Sequence, residues 1–146
     1  MIAYYDTGVL VKLWVREALS DEVADFVTRR GRAVPFTALH EIETKNALRL
    51  KIFRREMNAA TLGDAMTMID EDRTLRRLFA AAPSWTEVFM RAERLSADVT
   101  QKTGCRTLDL LHVAAAMVLG CDEFISLDRR QLKAAKAAGL RVTTIE

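Results

Sequence analysis

The sequence predicts an α/β sandwich built around a short parallel sheet. Two stretches carry the prediction. Ile2 to Tyr5 is a β-branched and aromatic run that stops on Asp6 and passes straight into an amphipathic segment. Glu123 to Leu127 repeats the pattern, stopping on Asp128 before a second amphipathic segment. Strand, acid, helix is the opening half of a βαβ unit, and alternation of such units along the chain means helices covering a parallel sheet.

The elements follow in order. Val9, Leu10, Leu13 and Trp14 recur at helical spacing after Asp6. Ser20-Asp21-Glu22-Val23 reads as a helix start with acids in its first turn, and that helix ends near Gly31. Ala33 to Phe36 is a second strand, placed at a sheet end or edge by Pro35. Ala38 to Phe53 is a helix whose apolar stripe is read as Leu39, Ile42, Asn46, Leu50 and Phe53. Asn58 to Asp70 is a further helix, with Leu62, Ala65, Met66 and Ile69 inward and a solvated Asp70-Glu71-Asp72 cluster at its end. Leu75 to Ala81 is ambiguous and reads as a short edge strand before Pro83. Trp85 to Lys102 is a long helix with Val88, Phe89, Ala92, Leu95 and Val99 inside, closed by Gly104. Leu108 to Leu119 is apolar almost all round, as in a helix buried on several sides. After the Glu123 to Leu127 strand, Arg129 to Ala138 is a helix stopped by Gly139, and Leu140 to Ile145 is the last strand.

The bulk properties agree. A length of 146 residues suits one domain with a genuine core, and a composition 50% hydrophobic and 29% charged is that of an ordinary soluble globule. A net charge of +2 neither demands nor repels a nucleic-acid partner. Cys105 and Cys121 have no ligand or redox spacing, so they read as reduced thiols in a cytoplasmic protein. No signal peptide and no apolar run of bilayer length is evident, and no repeat, linker or glycine-rich phosphate loop is found.

The acids carry the chemistry. Asp6 and Asp128 both terminate strands, and parallel strands place their carboxyl ends on one sheet edge. Either residue alone reads more readily as a helix cap. Glu43 sits beside the apolar stripe of its helix, either buried or reaching out to water or an arginine. Glu41, with Lys45 and Arg49, belongs to a solvated face of opposite charges. Asp109 falls in the first turn of the most apolar helix, where Thr107 is the expected N-cap and the helix dipole favours a negative charge. His112, one turn on, reads as a hydrogen-bonded packing residue rather than a ligand. Clustered carboxylates repel, and a hard divalent cation, Mg²⁺ or Mn²⁺, resolves the conflict. Such a centre suits metal-assisted attack of water on a phosphodiester. Basic residues accompany it in two groups: Lys45, Arg49, Lys51, Arg54 and Arg55, and Arg129, Arg130, Lys133 and Lys136. They read as phosphate contacts or as solvated faces.

Four segments in order resemble the PIN-domain ribonucleases. They are Tyr5-Asp6-Thr7 with the following Val9 to Leu13, Thr37 to Glu43, Arg106 to Ala116, and Phe124 to Asp128. Within that family the chain is similar to the VapC toxins of toxin–antitoxin pairs. The resemblance covers essentially the whole chain and rests on the ordered set rather than on any one motif. It implies a single PIN domain over residues 1–146, a three-layer sandwich with a short central parallel sheet flanked by helices. It further implies an endoribonuclease dependent on Mg²⁺ or Mn²⁺, and an acidic quartet of Asp6, Glu43, Asp109 and Asp128. Asp6 and Asp109 would bind the metal, and Glu43 and Asp128 would reach it directly or through water. A homodimer neutralised by a small VapB-type antitoxin is implied as well. Thr7 and Ser126 are candidate hydroxyls behind the acids, or turn and capping residues. Gly8 departs from the Ser or Ala expected after Thr7 and removes a hydroxyl there. Two other readings stand beside the toxin: a PIN nuclease of RNA processing, and a catalytically silent PIN-like binding module.

Overall fold

A computed structural model describes residues 1–146. The chain groups into two compact units, one formed by residues 1–6 and 81–145, the other by residues 7–80 with Glu146.

The first unit holds a three-stranded parallel sheet of β1 (Ala3–Tyr5), β4 (Glu123–Ile125) and β5 (Arg141–Thr143), in the order β1-β4-β5. Tyr4 pairs with Phe124, and Phe124 with Val142. Tyr4 also stacks on Phe124, with ring centroids 5.5 Å apart and planes 12° apart. Three helices accompany the sheet: α5 (Trp85–Thr103), α6 (Thr107–Val118) and α7 (Arg129–Ala137). Helix α6 packs along α5 and against α7. Its run Val113 to Ala116 is fully buried, as a helix apolar on all sides requires. Small alanines there permit close helix approach, and Ala134 and Ala135 do the same on α7. Phe89, expected inside α5, is 59% exposed, because Val88, Ala92, Leu95 and Val99 already fill the buried stripe.

The second unit holds α1 (Thr7–Trp14), α2 (Ser20–Arg30), β2 (Val34–Phe36), α3 (Ala38–Phe53), α4 (Ala59–Thr74) and β3 (Leu78–Ala80). The ambiguous segment after Leu75 is therefore a strand. It pairs with β2 in parallel, Pro35 opposite Phe79, in a sheet of its own. The second strand thus joins β3 rather than the β1-β4-β5 ladder. Trp14 packs edge-on to Phe36 at 5.9 Å and donates its indole N–H to Asp72 at 2.8 Å. That bond corrects the expectation for the acid cluster: α4 runs on to Thr74, and Asp72 is half-buried with a partner.

The stripe expected on α3 is also corrected. Ile42, Leu50 and Phe53 are exposed, Phe53 at 83%, while His40, Thr44 and Leu48 are fully buried. The buried line still steps by four residues, but it is rotated onto a face that carries two polar side chains. His40 explains the rotation. It stacks on Phe36 at 5.3 Å and closes a capping box with Thr37, so the helix starts with that face inward. Glu41 is half-buried rather than solvated, paired with Lys45 and with Arg73. Lys51 is likewise engaged, on Glu17, so two of the basic residues counted for this helix are committed within the unit.

Candidate metal centre

The site is assembled on the first unit, at the carboxyl ends of β1 and β4 and the start of α6. The Asp6 backbone N–H donates to the Ile125 carbonyl at 2.9 Å, continuing the β1-β4 ladder one step past Tyr5. This fixes the backbone that carries the Asp6 carboxylate. Asp128 caps α7: its side chain accepts from the N–H of Arg130 at 2.8 Å and of Gln131 at 3.4 Å. Burial by itself would raise the Asp128 carboxyl. The side-chain hydrogen bond from Arg130, the two backbone donors and the Arg130 charge outweigh it and hold the carboxyl below its ordinary value.

Asp109 occupies the first turn of α6, where its carboxylate accepts from the Arg106 backbone N–H at 3.2 Å and from Arg106 Nε at 3.3 Å. The helix is capped by Arg106, one residue before the expected Thr107. Arg106 and Arg130 are 71% and 50% exposed and meet their carboxylates at 3.3 and 3.4 Å. Exposed pairs of that length are worth about 1 kcal/mol or less. They shield Asp109 and Asp128 without locking them.

The buried Cys105 thiol is pushed up to about 11 by burial and then by the negative charges of Asp109 and Asp128. The three acids are linked through Gln131, fully buried on α7, whose backbone N–H reaches Asp128. Its amide nitrogen donates to Asp6 Oδ1 at 3.1 Å and to the Asp109 carbonyl at 3.4 Å. Its amide oxygen accepts from the Ser126 hydroxyl at 2.7 Å, and Ser126 Oγ in turn accepts from the Asp128 N–H at 3.0 Å. Ser126 is thus a buried brace behind the acids. Gln131 was not singled out in the sequence, where it sits in a basic, outwardly amphipathic helix.

His112 is buried and hydrogen-bonded, as expected: its Nδ1 lies 2.8 Å from the Tyr4 hydroxyl. Its other nitrogen, Nε2, lies 4.0 Å from Asp6 Oδ1. That is too long for a hydrogen bond. It suits two ligands of one small cation, which at about 2.1 Å from the ion lie up to about 4.2 Å apart. The Asp6 carboxylate, with its side chain 18% exposed, and the His112 imidazole are two donors spaced to fit one divalent ion, while Asp109 meets this cluster through its backbone carbonyl on Gln131.

The remaining expected residues lie in the second unit. Glu43 is half-buried on α3, adjoining the buried Thr44. Thr7 is buried at the first position of α1, and Gly8 follows it within the same helix. The second group of basic residues, Arg129, Arg130, Lys133 and Lys136, is exposed on α7, which Asp128 caps.

No family model matches the sequence, and no curated protein matches it. Among solved structures, it is similar to a chain in the crystal structure of VapBC2 from Rickettsia felis bound to a DNA fragment from their promoter. The TM-score is 0.70 at 14% sequence identity, with 100% of each chain covered. At that identity the likeness is one of fold. The protein has an α/β, PIN-like fold with a small parallel sheet flanked by helices, as the sequence resemblance implies.

Proposed function

We propose that this chain is a metal-dependent endoribonuclease, the toxin half of a VapBC-type toxin–antitoxin pair. The observation that carries the reading is the convergence of the Asp6 carboxylate, the Asp109 backbone carbonyl and the Asp128 carboxylate on Gln131, with His112 Nε2 4.0 Å from Asp6. The full-length likeness to a chain of a VapBC complex supports the toxin assignment over an RNA-processing nuclease.

In this reading residues 1–146 act as one domain. Asp6 and Asp109 hold Mg²⁺ or Mn²⁺, and Asp128 reaches it directly or through water. Glu43 joins on its sequence position and the family resemblance. The ion, when bound, supplies a water activated at neutral pH and neutralises charge developing on the phosphate. The chain's own part is to hold carboxylates in place and to keep their backbones rigid through the β1-β4 ladder and the α7 cap. The exposed basic face of α7 meets RNA phosphates, which makes binding fall with salt. A homodimer, a VapB-type antitoxin and a cytoplasmic setting complete the proposal. No helix is long and apolar enough to cross a membrane.

The test is cleavage of single-stranded RNA by the purified chain with Mg²⁺, against the same reaction in EDTA. Expression in cells alone and with the neighbouring open reading frame tests the toxin assignment. Growth arrest relieved by co-expression is the expected result, and cleavage without arrest would favour RNA processing.

A further inference from the structure

Gln131 is the most unusual polar group in the first unit. It is fully buried, on a helix face otherwise lined by Ala134 and Ala135. An apolar side chain would fill that space without the cost of desolvating an amide. The amide instead spends every polar position on the site: one nitrogen on Asp6 Oδ1 and the Asp109 carbonyl, one oxygen on the Ser126 hydroxyl. The partners dictate its orientation, since a carboxylate and a carbonyl only accept. The donor is also neutral. A lysine or arginine there would cancel the Asp6 charge and compete with a cation, whereas an amide directs the carboxylate and leaves its charge intact.

We propose that Gln131 is a positioning residue for the metal-binding carboxylate of Asp6, fixing its rotamer by bracing it against the α6 backbone at Asp109 and the Ser126–Asp128 turn. The inference rests on the metal-centre reading above and assigns the residue that shapes that centre. Partners behind a metal ligand orient it, and their loss weakens metal binding by about 10- to 100-fold.

The experiment titrates Mn²⁺ alone into the metal-free full chain by calorimetry, for wild type, Gln131→Met, Ser126→Ala and the double variant, with the metal-free Tm of each recorded. Methionine keeps the volume and removes the hydrogen bonds. The expected result is Mn²⁺ binding about 10- to 100-fold weaker in Gln131→Met. A shift in the same direction is expected in Ser126→Ala, with the double variant no weaker than Gln131→Met, because both changes break one connected brace. Gln131→Met binding Mn²⁺ within about twofold of wild type, whatever its Tm, overturns the proposal and leaves the metal centre standing. If Gln131→Met does not fold, Ser126→Ala decides, and unchanged affinity there overturns it. Wild type that binds no Mn²⁺ overturns the metal centre and this inference together.

Discussion

Cys105 lies in the electrostatic field of Asp109, four positions further along the chain and on the next helix. Burial is the larger influence on the thiol and the Asp109 charge the next, and together with Asp128 they push it up to about 11. At pH 8 such a thiol is ionised in about one molecule in a thousand, and the thiolate is the reactive form. Cys121, also buried, is likewise pushed up to about 11. Native protein treated with iodoacetamide at pH 8 is therefore expected to stay unlabelled by mass spectrometry over a time that fully alkylates it in guanidinium chloride. Rapid native labelling of Cys105 would contradict its burial.

The rotated face of α3 makes an opposite pair of predictions. Leu48 is fully buried and Phe53 is 83% exposed, although both are apolar residues of one helix. Leu48→Ala is expected to cost about 2–5 kcal/mol in urea unfolding of the isolated chain. Phe53→Ala is expected to change stability by no more than about 0.5 kcal/mol. Similar costs for the two would restore the stripe read from the sequence.

Glu17 gives a pH signature. Burial would raise its carboxyl, but hydrogen bonds from Lys51 and Lys12 and their charges outweigh that and hold it below the ordinary glutamate value of 4.5. A depressed carboxylate contributes stability that is fully present above its unfolded pKa and is lost as pH falls through its folded pKa. The side chain is partly open to solvent, so the contribution after screening is about 1 kcal/mol. Glu17→Gln should lose that amount at pH 7. It should converge on wild type as pH drops below 4.5 and through the lower folded value. A gap between the two proteins that persists unchanged to the acid limit would contradict the pairing.

Asp6 and Asp128 were legible because the signal is local: a short apolar strand, an acid, then a helix. Asp6 follows β1 directly, whereas β4 ends at Ile125 and Asp128 lies three residues further on, as the cap of α7. Asp109 was legible for a similar reason, as one of two polar residues in the apolar run from Leu108 to Leu119. Gln131 was not. Its helix has a basic outer face, a glutamine in such a pattern reads as surface, and its decisive partner Asp6 is 125 residues away. The face of α3 was misread because periodicity weighs apolar side chains, and the buried line there begins with His40 and Thr44. Their burial depends on Phe36 and on the capping box, which only the assembled unit supplies. The pairing of β2 with β3 was hidden for the same kind of reason, since three-residue strands carry too little pattern to name a partner.

The proposed function requires the carboxylates of Asp6, next after β1, and Asp109, on α6, to serve one metal-dependent hydrolytic site. The most direct measurement is Mg²⁺-dependent cleavage of single-stranded RNA by Asp6→Asn and Asp109→Asn, alongside their metal-free Tm. Activity is expected to fall by more than about 100-fold in each, because losing a ligand exceeds the effect of losing a residue behind one. The metal-free Tm is expected to stay unchanged or rise, because a negative charge has been removed from a cluster of acids. Cleavage at the wild-type rate in both variants would contradict that function.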